Sequence, residues 1–205
     1  MVEDYLRQSA LAHLSLAAIA RPERSDEEGV ALKECPFRTV ITLRGQAGEP
    51  AFVTVVERNF GLRLPLRVGE VSGNPKGREI LCLGPDEWWL TDAAEEAEEV
   101  VRSLEEATAE LFALVVDTSD NWFALEVSGP SARDLLAKGC PLDLHPRNFG
   151  PGRCAQSLLS KAPMTLQQLD ETPTFRLYVR RSFADYTWRW LSDAGREYGV
   201  AVLQS

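Results

Sequence analysis

Two histidines, His13 and His145, and four cysteines, Cys35, Cys82, Cys140 and Cys154, carry most of the reactive chemistry this sequence has to offer. A serine or cysteine nucleophile needs a base within hydrogen-bond reach, and these two histidines are the usual kind. His13 falls in an N-terminal stretch. His145 falls in a proline-rich loop beside Asp143, where it could act as a base or a flavin attachment point, although a loop histidine with one acid nearby is ordinarily structural. No GxSxG turn exposes a serine. The cysteines lack CxxC spacing, so a zinc cage is short of ligands and reduced, partly buried thiols are expected. Gly73-Asn74-Pro75-Lys76-Gly77 lacks the glycine and lysine order of a phosphate-cradling loop and reads as an ordinary connection.

The remaining candidates bind rather than react. Arg176, Arg180 and Arg181, near Asp185, offer planar paired donors for an anion or a partner's carboxylate, a solvated strand edge being the plain alternative. Trp188 and Trp190 are two apart on an expected helix, so they face different directions and do not share one core layer. Aromatic anchors beside arginine are enriched where proteins meet. These five residues form the candidate partner-binding set, and no catalytic, cofactor-binding or metal-binding residue is assigned.

The chain has 205 residues, 44% of them hydrophobic and 26% charged, which suits an ordered protein of one large domain or two small ones. The net charge of −9 supplies no positive field for nucleic acid or an anionic bilayer. Its early apolar stretch, Leu14 to Ala20, is too short to span a membrane, and a cytoplasmic protein is expected. Between residues 91 and 110 there are eight acids and one arginine, so most of the net charge falls on one element, ordinarily a solvated helix face.

The elements that would position these groups follow from periodicity. Residues 1–34 read as an arm, since a mildly apolar run ends in a charged, proline-broken stretch. Alternation from Cys35 to Arg44 predicts a strand; Pro50 and Gly61 bracket a helix. Arg78 to Leu83 and Glu87 to Thr91 flank Gly84-Pro85-Asp86 as a hairpin that sends Trp88 and Trp89 to opposite faces. Residues 93–112 predict an amphipathic helix. Strands 113–117 and 122–127 are expected to pair across the polar turn Thr118–Asn121, followed by a short helix from Pro130 to Gly139. An irregular stretch to Gly152 precedes strands at 155–160, 165–169 and 175–179. A last helix is expected to be capped by Ser182 and to bury Phe183, Tyr186, Trp190, Leu191 and Ala194, before a strand at 198–203. This order lacks the strict alternation of a doubly wound sheet and predicts an α+β fold of two sheet-and-helix halves, 35–112 and 113–205, with strands open to exchange between them.

Several stretches resemble the gamma subunits of heterotetrameric sarcosine oxidase. They are Leu83-Gly84-Pro85-Asp86-Glu87-Trp88-Trp89-Leu90, Val116 to Ser119, Leu125 to Leu136, Gly139 to Leu144, Gly152 to Leu159 and Phe175 to Tyr186. The resemblance implies a cytoplasmic bacterial complex that oxidatively demethylates sarcosine to glycine, giving H2O2 with formaldehyde or 5,10-methylenetetrahydrofolate. FAD, FMN and NAD are implied for its alpha and beta subunits and zinc for delta, while gamma docks mainly on alpha and holds none of them. Gly129-Pro130-x-Ala132-x-x-Leu135 also matches a wider pattern shared with the glycine-cleavage aminomethyltransferase, whose folate-binding fold is two interleaved ferredoxin-like α/β-plait halves with antiparallel sheets. That group's folate-grasping acid lies in a Gly-Glu-x-Gly-Phe run; here the stretch reads Asp170-Glu171-Thr172-Pro173-Thr174-Phe175, and Glu79-Ile80-Leu81-Cys82 does not supply the group's second acid. A tetrahydrofolate-dependent aminomethyltransferase-like protein, with Glu171 as its one retained acid, is the rival reading.

Overall fold

The computed structural model describes residues 8–93 and 97–205. In chain order the strands are β1 (Val30–Cys35), β2 (Thr39–Arg44), β3 (Val71–Gly73), β4 (Glu79–Gly84), β5 (Glu87–Asp92), β6 (Leu114–Asp117), β7 (Trp122–Ser128), β8 (Arg153–Leu159), β9 (Ala162–Gln168), β10 (Phe175–Arg180) and β11 (Val200–Leu203). The α-helices are α1 (Pro50–Phe60), α2 (Ala97–Thr108), α3 (Ala132–Ala137) and α4 (Ala184–Ala194). Two compact units result: one of residues 37–122 and 151–156, the other of 8–36, 123–150 and 157–205 among the described residues. Among those residues no helix is long and apolar enough to cross a membrane.

The first unit has a sheet in the order β3-β4-β5-β2-β6. Within it β2, α1, β4, β5, α2 and β6 make a β-α-β-β-α-β array, the ferredoxin-like arrangement. Helix α1 forms although Val53 to Val56 favour strand, because Pro50 starts it, Gly61 at φ 75° ends it and Phe52, Val56 and Phe60 lie on one buried stripe. Gly45 has to lack a side chain, since a Cβ there would lie 2.2 Å from the Phe52 ring. The β4–β5 hairpin contains a register shift between Cys82 and Gly84. Trp88 and Trp89 then diverge as expected: Trp88 packs on Phe52 at 5.7 Å, and Trp89 lies 4.3 Å from Trp122. Helix α2 begins at Ala97 and ends at Thr108, inside the expected 93–112; residues 94–96, with Glu95, lie outside the described residues.

The second unit has a sheet in the order β11-β1-β7-β10-β9-β8, antiparallel in its β1–β7 and β9–β10 pairs and parallel between β1 and β11. Several expectations are corrected here. Residues 8–34 are more than an arm: β1 is an inner strand, and Leu11 is 1% exposed. The strand expected at 35–44 breaks at Pro36-Phe37, where Phe37 has φ 58°. Val30, Ala31 and Leu32 are consecutively buried because an inner strand is covered on both faces, which removes the period-two signal. The Thr118–Asn121 connection is not a hairpin turn, since β6 pairs with β2 in one sheet and β7 with β1 in the other. A short polar linker serves either purpose, and local pattern does not name a strand's partner. The half-boundaries move accordingly: β6 stays with the first sheet and β1 joins the second.

Helix α3 starts at Ala132 rather than Pro130, after Gly129 at φ 107°. Helix α4 starts at Ala184 after a 3-10 turn, Arg181–Phe183, and Ser182 provides no side-chain cap. That start rotates the buried stripe to Ala184, Thr187, Trp188 and Leu191. Tyr186 instead donates its hydroxyl to Ser160 Oγ at 2.9 Å.

None of the four cysteines is joined in a disulfide; Cys82, Cys140 and Cys154 are buried and Cys35 is half-buried. Burial, with Cys82 nearby, pushes the Cys154 thiol up to about 12, and burial also raises Cys82. Thiolate is the reactive form. Iodoacetamide at neutral pH is therefore expected to label Cys35 first in the native chain and the other three only after unfolding, as read by peptide mass; fast native labelling of Cys154 would contradict this packing.

Candidate functional site

Neither histidine is hydrogen-bonded to a serine or cysteine among the described residues. His13 meets Asp185 Oδ1 at 2.9 Å, both groups exposed. The Asp185 carboxyl is held below the usual range mainly by the Arg189 guanidinium, 2.8 Å away, with His13 adding to it. This pair ties the N-terminal segment to α4. His145 is part of a self-bonded loop: its backbone amide donates to Asp143 Oδ1 at 2.9 Å, and its Nδ1 accepts from the Arg147 amide at 3.2 Å. The His145 amide, together with the Asn148 side chain, holds the Asp143 carboxyl below its ordinary range.

The Gly73–Gly77 stretch is the turn of the β3–β4 hairpin, closed by the Asn74 amide on the Arg78 carbonyl at 2.8 Å. It has no helix behind it and forms no phosphate cradle. Among the described residues, no group of three or more histidine, cysteine, aspartate or glutamate side chains is placed to hold a metal ion. Glu171 is exposed in the connection between β9 and β10, where its neighbour Asp170 accepts from the Thr174 amide at 3.0 Å.

The five candidate binding residues separate by burial. Arg176, on an inner strand, is 3% exposed, and its Nη2 and Nε reach Glu126 Oε1 at 2.7 and 3.2 Å. Trp188 is 5% exposed on the core stripe of α4. Both are corrected from surface anchors to interior residues: Arg176 sits within the buried run Phe175–Val179 of β10, and Trp188 lies on the buried stripe of α4. Arg180 and Arg181 are exposed where β10 ends, and Arg181 Nη2 donates to the Gln8 carbonyl at 2.6 Å. Trp190 is half-buried, lying over Gly139 so closely that a Cβ there would sit 2.6 Å from its ring. What remains at the surface is Arg180 and Arg181 at the end of β10, Arg189 on α4 held by the Asp185 carboxylate, and the half-buried Trp190.

Sequence reasoning missed three features. Arg133 donates to the Leu144 carbonyl and to Gln168 Oε1 at 3.0 Å and lies 5.1 Å above the Phe175 ring, pinning the proline-rich loop. A cavity of about 410 Å³ lies among Leu11, Leu16, Glu34, Val202 and Leu203, because the N-terminal segment folds back over β1 and β11. Phe112, Leu114 and Val116 are 83%, 52% and 39% exposed along β6. Their signal was the run Leu111 to Val116, which is apolar at both parities.

Among the described residues, then, the histidines serve local packing: His13 joins Asp185, and His145 closes its own loop. Comparison with known proteins agrees in scale and fold. The sarcosine oxidase subunit gamma of Corynebacterium sp. strain U-96 is 38% identical over 97% of this chain and 94% of its own length. A chain of the structure of heterotetrameric sarcosine oxidase from Corynebacterium sp. U-96, in complex with pyrrole 2-carboxylate, superposes with a TM-score of 0.85. It is 37% identical, and the match covers 96% of this chain and 98% of that one. The glycine cleavage system aminomethyltransferase T of Bartonella henselae shares the fold at a TM-score of 0.70 and 16% identity, over 97% of this chain and 59% of that one. With the model of the sarcosine oxidase, gamma subunit family matching residues 44–197, the chain belongs to that family.

Proposed function

We propose that this chain is the gamma subunit of a heterotetrameric sarcosine oxidase, a non-catalytic component that docks on the alpha subunit. The observation that carries the reading is the end-to-end match, at 37% identity, with a chain of a heterotetrameric sarcosine oxidase. The assembled complex would oxidatively demethylate sarcosine to glycine in the cytoplasm. FAD, FMN, NAD, zinc and tetrahydrofolate would be held by its other subunits, alpha, beta and delta. Exposed Arg180 and Arg181 and the half-buried Trp190 are the residue types that would offer alpha cationic and aromatic contacts.

Co-expression with the other subunits tests this. The chain is expected to co-elute with a large flavoprotein, and tetrahydrofolate is expected to leave the melting temperature of the isolated chain unchanged. A ligand at a hundred times its Kd would add about 2.7 kcal/mol to stability. A folate-induced rise of about 5 °C or more, or one-carbon transfer by the purified chain, would overturn the reading in favour of an aminomethyltransferase.

A further inference from the structure

The sheet of the first unit ends in β6, whose outer edge pairs with no strand among the described residues. β6 pairs with β2 on one side only, from Ile41↔Asp117 to Arg44↔Leu114. Its alternate side chains divide sharply. Ala113 and Val115 pack into the core with Leu43 and Leu104, while Phe112, Leu114 and Val116 form an exposed apolar row at i, i+2 and i+4. Proteins normally blunt such an edge with lysine, proline or a bulge. Residues 112–116 read Phe-Ala-Leu-Val-Val with no lysine, proline or bulge; the protections left are the shortness of β6 and the exposed Asp117 at its far end. An open row of backbone groups beside alternate apolar side chains is the template for strand addition.

Charge selects the occupant. Helix α2 packs against β6, and Glu98, Glu99, Glu105 and Glu106 on it and Glu110 just beyond it are exposed, with Arg102 the sole basic residue of the helix. A second copy pairing edge to edge would bring two such acidic helices together, and like charges side by side are repulsive. A chain with apolar residues at alternate positions and lysine or arginine beside them is complementary. Resting on the reading of this chain as a subunit, we propose that the β6 edge is the strand-addition surface for another subunit of the complex, which lays a basic-flanked extended segment along Phe112, Leu114 and Val116.

The test uses the full chain co-expressed with the other subunits, affinity-tagged on the flavoprotein. The double variant Leu114→Lys with Val116→Lys, and separately Phe112→Ser, is expected to cut the recovered complex at least tenfold. The control Lys76→Glu, in the β3–β4 turn, leaves it unchanged. Far-UV circular dichroism and melting temperature establish that each variant is folded; Phe112 precedes the strand, so its variant keeps the test open if the double variant does not fold. Full recovery of the complex with folded edge variants overturns the proposal, as does a wild-type chain that is a homodimer broken by those variants. Failure of the wild-type chain to co-elute overturns the subunit reading instead.

Discussion

Replacing Trp88 by alanine is expected to lower the unfolding free energy by about 3–5 kcal/mol. The ring is 0% exposed and shares one core with Leu43, Phe52, Val56, Cys82 and Leu90. Its indole N–H also donates to the Pro65 carbonyl at 2.8 Å, so truncation opens a cavity and leaves a buried acceptor unmet. Domains of this kind are stable by only about 5–15 kcal/mol, so the loss would be a large share of the total. Urea titration should show the midpoint falling at constant slope. Trp88→Phe, which keeps most of the volume and loses only the donor, should cost about 1–2 kcal/mol. A Trp88→Ala change below about 1 kcal/mol would show that the ring does not carry this core.

The same residue shows what the sequence could say. Trp88 and Trp89 stand in the Leu83–Leu90 stretch that resembles the family, and alternation alone sent them to opposite faces, as found. That stretch is architectural: it builds a bulged hairpin and fills a core, and it holds no reacting group. Helix α1 was legible from its Pro50 start and Gly61 stop. β1 was not, because an inner strand buried on both faces leaves a run of apolar residues instead of alternation. The parting of β6 and β7 into different sheets was hidden for another reason: which strand pairs with which is decided by distant register, here Ala31↔Ser128 through Cys35↔Ala124 for β7. The stripe of α4 was misplaced by the 3-10 turn at Arg181–Phe183, which set the helix start and turned Trp188 inward. The family was readable; the docking candidates were readable only as residue types, since exposure is a property of the packed chain.

That difference makes the three arginines separable by experiment. Arg176→Ala is expected to cost about 3 kcal/mol, because it leaves the Glu126 carboxylate, 18% exposed, without its cation. Removing one partner of a buried pair is expensive even where the pair itself contributes little, so Arg176→Met combined with Glu126→Leu should recover most of the loss. Arg180→Ala and Arg181→Ala, at exposed positions, should each change stability by no more than about 0.5 kcal/mol. Their effect is expected in assembly: if alpha contacts these two exposed arginines, the double alanine variant weakens co-elution while its urea midpoint stays that of the wild type. An Arg176→Ala chain as stable as the wild type would mean that the Glu126 pair is not buried in solution, and would return Arg176 to the surface set with its neighbours.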